Sequence, residues 1–118
     1  MANPNIVNVA NIYGKTAVAS LTTSYVSILA NAAASGKILK VNTLLVSNIG
    51  SAVEETNVRI DRGGTINWIA SAMAVPQGSA LVIVSKDTAI YLEEGDDLLA
   101  SAGSNSALQI TISYEEIS

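Results

Sequence analysis

Short blocks of alternating apolar and polar residues, separated by Gly, Ser, Asn and Pro, run along most of the chain, and a period of two is the signature of strands. The clearest block is 108–114, where Leu108, Ile110, Ile112 and Tyr114 share one face and Gln109, Thr111 and Ser113 the other. Val58-Arg59-Ile60-Asp61 alternates in the same way before Gly63-Gly64 turns the chain toward 65–70. A two-residue loop there would set Ile60 opposite Asn67. A three-residue loop of Arg62, Gly63 and Gly64 sets Ile60 opposite Ile66 and Val58 opposite Trp68, keeps the apolar residues on one face, and is the expected register.

A loop centred on Gly95 sets Leu92 opposite Leu98 and Ile90 opposite Ala100, and a turn through 103–106 sets Ala100 opposite Ile110 and Leu98 opposite Ile112, so the C-terminal third reads as a meander. Pro76-Gln77-Gly78 marks another turn. The segment 28–35, Ile-Leu-Ala-Asn-Ala-Ala-Ala-Ser, is too short for a self-supporting helix and reads as a strand end plus a loop. With strands near 16–21, 25–30 and 39–47 the count reaches about eight. The expected fold is all-β: a single-domain, jelly-roll-like antiparallel sandwich over 15–118, preceded by an extended N-terminal arm over 1–14.

Three stretches do not alternate. Leu44-Leu45-Val46, Leu81-Val82-Ile83-Val84 and Leu98-Leu99 are apolar on both faces, whereas a sandwich with a solvated exterior leaves one face polar. The excess side chains point to a subunit interface, the alternative being cover by loops or by the N-terminal arm. The arm, in which Asn3, Asn5, Asn8 and Asn11 interleave with Ile6, Val7, Val9 and Ile12, is expected to dock on the body or on a neighbouring subunit. The candidate interface residues are therefore Asn3, Asn5, Ile6, Val7, Val9, Ile12, Tyr13, Leu44, Val46, Trp68, Val82, Val84 and Leu99.

Composition sharpens this. The 118 residues suit one domain, and only 14% are charged against 49% hydrophobic, where a charged share of about 25% is usual. The surface is expected to be unusually neutral or covered, although alanines raise the hydrophobic count while burying little area each. A net charge of −4 with six scattered basic residues offers no footprint for a phosphate backbone, so nucleic acid is not an expected partner. The longest apolar run, 80–84, is far below the ~20 residues of a membrane helix, and the N-terminus lacks a cationic-then-apolar leader, so a soluble protein without a membrane partner is expected.

Chemistry-bearing side chains are scarce. There is no histidine and no cysteine, which removes the commonest general base, thiolate nucleophile and zinc ligands. Only carboxylates remain: Glu54 with Glu55, Asp61, the run Glu93-Glu94-Gly95-Asp96-Asp97, and Glu115 with Glu116. The run centred on Gly95 reads as a solvated acidic hairpin tip, with oxygen ligation of calcium as the alternative. A glycosidase would need two carboxylates across an aromatic-lined cleft. Trp68 and the four tyrosines are dispersed along the chain, and serve best as core and interface anchors. No catalytic residue, cofactor or resident metal is expected.

Tyr91-Leu92-Glu93-Glu94-Gly95-Asp96-Asp97-Leu98, the Ala-Ser-rich strand after it, the ending Ile112-Ser113-Tyr114-Glu115-Glu116-Ile117-Ser118, and the segments Val46-Ser47-Asn48 and Val75-Pro76-Gln77-Gly78-Ser79 resemble small virion structural proteins of tailed bacteriophages, particularly those infecting cyanobacteria. The similarity spans most of the chain from Lys15. The resemblance implies a capsid decoration or cement protein that bridges major capsid subunits on the outer capsid surface, works as a trimer or dimer, and assembles in the host cytoplasm. It brings no catalytic motif. The other reading it leaves open is a tail, neck or fibre module that binds a host receptor or glycan, with Trp68 as an exposed aromatic.

Overall fold

The computed structural model describes residues 10–118. Among them nine strands form two packed antiparallel sheets: β1 (Ile12–Ser20), β2 (Val26–Ala30), β3 (Ile38–Asn48), β4 (Glu54–Arg62), β5 (Thr65–Val75), β6 (Ala80–Val84), β7 (Ile90–Leu92), β8 (Asp96–Ala102) and β9 (Leu108–Ile117). The first sheet has the order β1-β9-β3-β6, with β7 also beside β3; the second has the order β2-β8-β4-β5. β7 continues the line of β6, since Val84 and Val82 lie beside Leu44 and Leu45 while Ile90 and Leu92 lie beside Val41 and Leu39. The two are halves of one strand, interrupted by a 3₁₀ turn at Lys86–Thr88. The pairs β1–β9, β2–β8, β3–β6 and β4–β5 therefore nest one inside the next along the chain, which is a jelly roll.

The core is unequal. The first sheet supplies bulk through Val41, Leu44, Val46, Leu92, Ile110 and Ile112, whereas the second presents Ala70, Ala100 and Ala102 between Val58 and Leu98. Large residues on one layer face small ones on the other, the complementarity that close packing requires, and part of the high alanine content lies here.

Each end of the sandwich is pinned by a buried asparagine. At one end Asn48 donates from Nδ2 to the carbonyls of Ala52 and Val75 and accepts from the Gly50 N–H. At the other, Asn31 donates to the carbonyls of Lys37 and Leu92 and accepts from the Ser35 hydroxyl. A buried amide with these partners satisfied fixes the loops it bridges.

Three expectations are corrected. The Gly63-Gly64 loop has two residues: Arg62 pairs with Thr65, Ile60 with Asn67, and Arg59, not Val58, with Trp68. Both glycines lie at positive φ (58° and 85°), the conformation a two-residue loop needs to match the strand twist. β5 then accommodates extra residues by register shifts between Thr56 and Val58 and between Val58 and Arg59, with Ala72 at φ 52°. The bulges turn Ala70 inward and leave Trp68 outside.

The meander is also replaced. β7 and β9 belong to the first sheet and β8 to the second, so the chain arches across the core at 93–95 and again at 103–107. Leu98, Ile112, Ala100 and Ile110 do meet in one core, from opposite sheets and not as hydrogen-bonded neighbours. Alternation shows which residues face inward and leaves open which sheet the next strand joins.

The third correction concerns the interface set. Leu44, Val46 and Val84 are core residues, almost without exposed surface. In Leu44-Leu45-Val46 the outward residue is Leu45, and an extra residue at Ile83 lets Val84 point inward beside Leu44 while Val82 points outward beside Leu45.

Candidate functional site

The exterior offers two faces of different chemistry. On the outer face of the first sheet, register places Val18 beside Thr111, Thr111 beside Leu45 and Leu45 beside Val82, an uncharged row of three aliphatic side chains and one threonine crossing four strands. Val18 is 73% exposed and Val82 56%. The flanking rows are Thr16–Ser113–Thr43 on one side and Ser20–Gln109–Ser47–Ala80 on the other. None of these positions carries a charge. Charge begins one row further, at Glu115 and Lys40, where Asn42 Nδ2 donates to Glu115 Oε1 over 3.0 Å. An open depression of about 280 Å³, lined by Val18, Ala19, Ser20, Gln109, Ile110 and Thr111, lies along the β1–β9 side of the sheet.

The outer face of the second sheet is aromatic and charged. Its central row is Ser27–Leu99–Arg59–Trp68, and the next is Ala30–Asp97–Asp61–Ile66. The Tyr25 and Trp68 rings stand 5.9 Å apart at 59°. The Arg59 guanidinium lies 4.0 Å from the Tyr25 ring centroid and 5.8 Å from that of Trp68. Its Nε is 3.3 Å from Asp61 Oδ1, an ion pair out of hydrogen-bond alignment. The Ser27 hydroxyl donates to Asp97.

Two ion clusters close the lower end of the sandwich. Arg62 grips Asp96 with Nε at 2.8 Å and Nη2 at 2.6 Å, and reaches Glu93 at 2.9 Å. Asp96 is 1% exposed and also accepts from the Glu93 N–H. Burial pushes the Asp96 carboxyl up, but the Arg62 and Glu93 hydrogen bonds and the Arg62 charge outweigh it and hold the group below its ordinary value. Glu116 takes Lys15 at 3.1 Å and Lys37 at 3.3 Å; the Lys15 hydrogen bond leads in lowering its pKa, burial opposes, and Lys37 adds to the lowering.

The acidic turn is accordingly not a solvated tip. Its central carboxylate is consumed by Arg62, and Glu94 accepts from the Gly36 N–H. Among the described residues no group of three or more His, Cys, Asp or Glu is placed to hold a metal ion.

The expected interface residues scatter. Val82 lies on the outer face of the first sheet, Trp68 and the half-buried Leu99 on the opposite exterior, and Ile12 and Tyr13 are exposed at the start of β1. Ile12 to Gly14, the end of the expected arm, are already paired with β9. Asn3, Asn5, Ile6, Val7 and Val9 lie outside the described residues. The structure adds Val18 and Leu45 to the first face and Tyr25 and Arg59 to the second. Tyr25 and Trp68, far apart in sequence, are brought together by the fold.

No protein-family model matches the chain, and a search of the curated proteins gives no match.

Proposed function

We propose that the protein is a structural virion module, a capsid decoration or cement protein that docks on major capsid subunits through the outer face of its first sheet and has no catalytic role. One observation carries the docking part of this reading: the charge-free surface built around Val18, Thr111, Leu45 and Val82. Depletion of charge is what distinguishes the centre of protein interfaces from other surface, because neutral hydroxyl and aliphatic groups are far less costly to take out of water than ions. The virion setting rests on the sequence resemblance.

Magnitudes favour action in many copies. Covering Val18, Leu45 and Val82 yields at most about 1.5–3 kcal/mol each, against about 4–15 kcal/mol lost on association. One face alone makes a weak contact. A dimer or trimer engaging several capsid subunits at once gains affinity from multivalency without new contacts. Particles assembled with and without the protein test the reading under thermal or osmotic challenge: decorated shells are expected to survive longer, and equal survival would sink it.

A further inference from the structure

The outer face of the second sheet is built differently from a docking surface, and its most conspicuous group is the single tryptophan of the chain, 51% exposed on an edge strand. Leaving so large an apolar side chain in water forgoes most of what its burial would contribute to folding. Its position follows from the bulge in β5 that turns Trp68 outward beside Arg59. Tyr25 at 5.9 Å and the Arg59 guanidinium, stacked over Tyr25 and 5.8 Å from the indole, flank it, so the ring is oriented before any ligand arrives.

Beside it lies a second feature without a folding rationale. Asp61 and Asp97 are direct cross-strand partners on β4 and β8, an arrangement of like charges that destabilises a sheet. Each is partly compensated, Asp61 by Arg59 and Asp97 by the Ser27 hydroxyl. The Arg59 contact is not a hydrogen bond, so Asp61 Oδ1 keeps its acceptor capacity, and the Ser27 hydroxyl takes up one acceptor position of Asp97.

We propose that Trp68, Asp61 and Asp97 form a binding platform for neutral pyranose sugars, with Tyr25 and Arg59 as positioning residues. A pyranose ring has an apolar C–H face, which suits an exposed indole, and a rim of hydroxyls, which donate to carboxylates. The charge balance selects among sugars. Two carboxylates face the site against one guanidinium already paired with Asp61, so uronic and sialic acids are repelled, and so are nucleotides, whose bases could stack but whose phosphates could not be accommodated. A single sugar contact on an outer sheet face is weak, with a Kd on the order of 1 mM or above. It uses the exterior opposite the docking face, so the two readings stand or fall separately.

Saturation-transfer NMR on the full chain, with the methyl glycosides of glucose, galactose, mannose and N-acetylglucosamine and with glucuronate as the anionic comparator, tests it. At least one neutral glycoside is expected to receive saturation on its ring protons, and glucuronate to receive much less. Trp68→Ala should weaken binding about tenfold or more, Trp68→Phe should retain part of it, and Asp61→Asn a few-fold less than wild type, while Val82→Asp on the opposite face leaves it unchanged. Thermal melts of the variants separate lost binding from lost folding. No transfer to any neutral glycoside, transfer undiminished in a folded Trp68→Ala protein, or glucuronate bound as well as glucose would each overturn the proposal.

Discussion

The two outer faces of this sandwich come from the same fold and the same pleat, yet they treat charge in opposite ways. On the second sheet Arg59, Asp61 and Asp97 are set among aromatic rings and hydroxyls. On the first, three successive rows from Thr16 to Ala80 hold only Thr, Ser, Gln, Ala, Val and Leu. The difference is one of desolvation. A partner that covers the first face displaces water from neutral groups, whereas one that covers the second must strip charges whose compensation is partial. The first face is thus suited to a dry macromolecular contact and the second to a small polar ligand that leaves the site wet.

The largest effect separates inside from outside on the same pair of strands. Leu44→Ala is expected to cost about 2–5 kcal/mol, because its side chain has no exposed surface and leaves a cavity. Val82→Ala, one strand away and mostly exposed, should stay within about 0.5 kcal/mol. Urea denaturation of the two variants measures this. Equal costs would mean that β6 is not bulged as described, and that the outer row does not exist.

Next is the lower end. Arg62→Ala strands a buried carboxylate, and a loss of about 1–3 kcal/mol is expected, moderated because Arg62 itself is half exposed. The pH dependence has a definite sign. The folded-state values of Asp96 and Glu116 both lie below their unfolded ones, so their contribution is complete above the unfolded values near about 4 and drains as pH falls through the folded values. Urea midpoints for wild type should fall steeply below about pH 4, and the acid limb of Arg62→Ala should be shallower, since the depressed Asp96 value that creates part of the slope is gone. A parallel limb would assign the slope elsewhere.

Smaller again is Lys15→Ala. It removes one of two lysines from Glu116 in a half-exposed pair, and about 0.5 kcal/mol, fading in high salt, is the expected loss. A salt-independent loss would point to packing by the Lys15 stem instead.

Much of this architecture was legible in the pattern. Alternation along 108–114 marked the inward set Leu108, Ile110 and Ile112, and the run Leu44-Leu45-Val46 signalled an apolar side chain on the outer face of β3, which is Leu45 among the polar Lys40, Thr43 and Ser47. What it could not give was parity. A single extra residue, Ile83 in β6 or the bulges of β5, exchanges inside for outside, and nothing local marks Leu45 rather than Leu44 as the outward one. Sheet membership was illegible for a related reason: an arch and a hairpin both bring Leu98 near Ile112, one across the core and one along the ladder. Long-range partners were the remaining gap. Asp96 finding Arg62 across 34 positions, and Tyr25 finding Trp68, depend on strand order that no local spacing encodes.

The central claim, that the uncharged face of the first sheet is the docking surface, is tested most directly by co-sedimentation with undecorated capsids. Wild type and Trp68→Ala are expected to pellet with the particles alike, while the double variant Val18→Asp/Val82→Asp, folded by circular dichroism, stays in the supernatant with binding weakened at least about tenfold, or about 1.4 kcal/mol. Wild-type binding by the Val18→Asp/Val82→Asp protein would contradict the account.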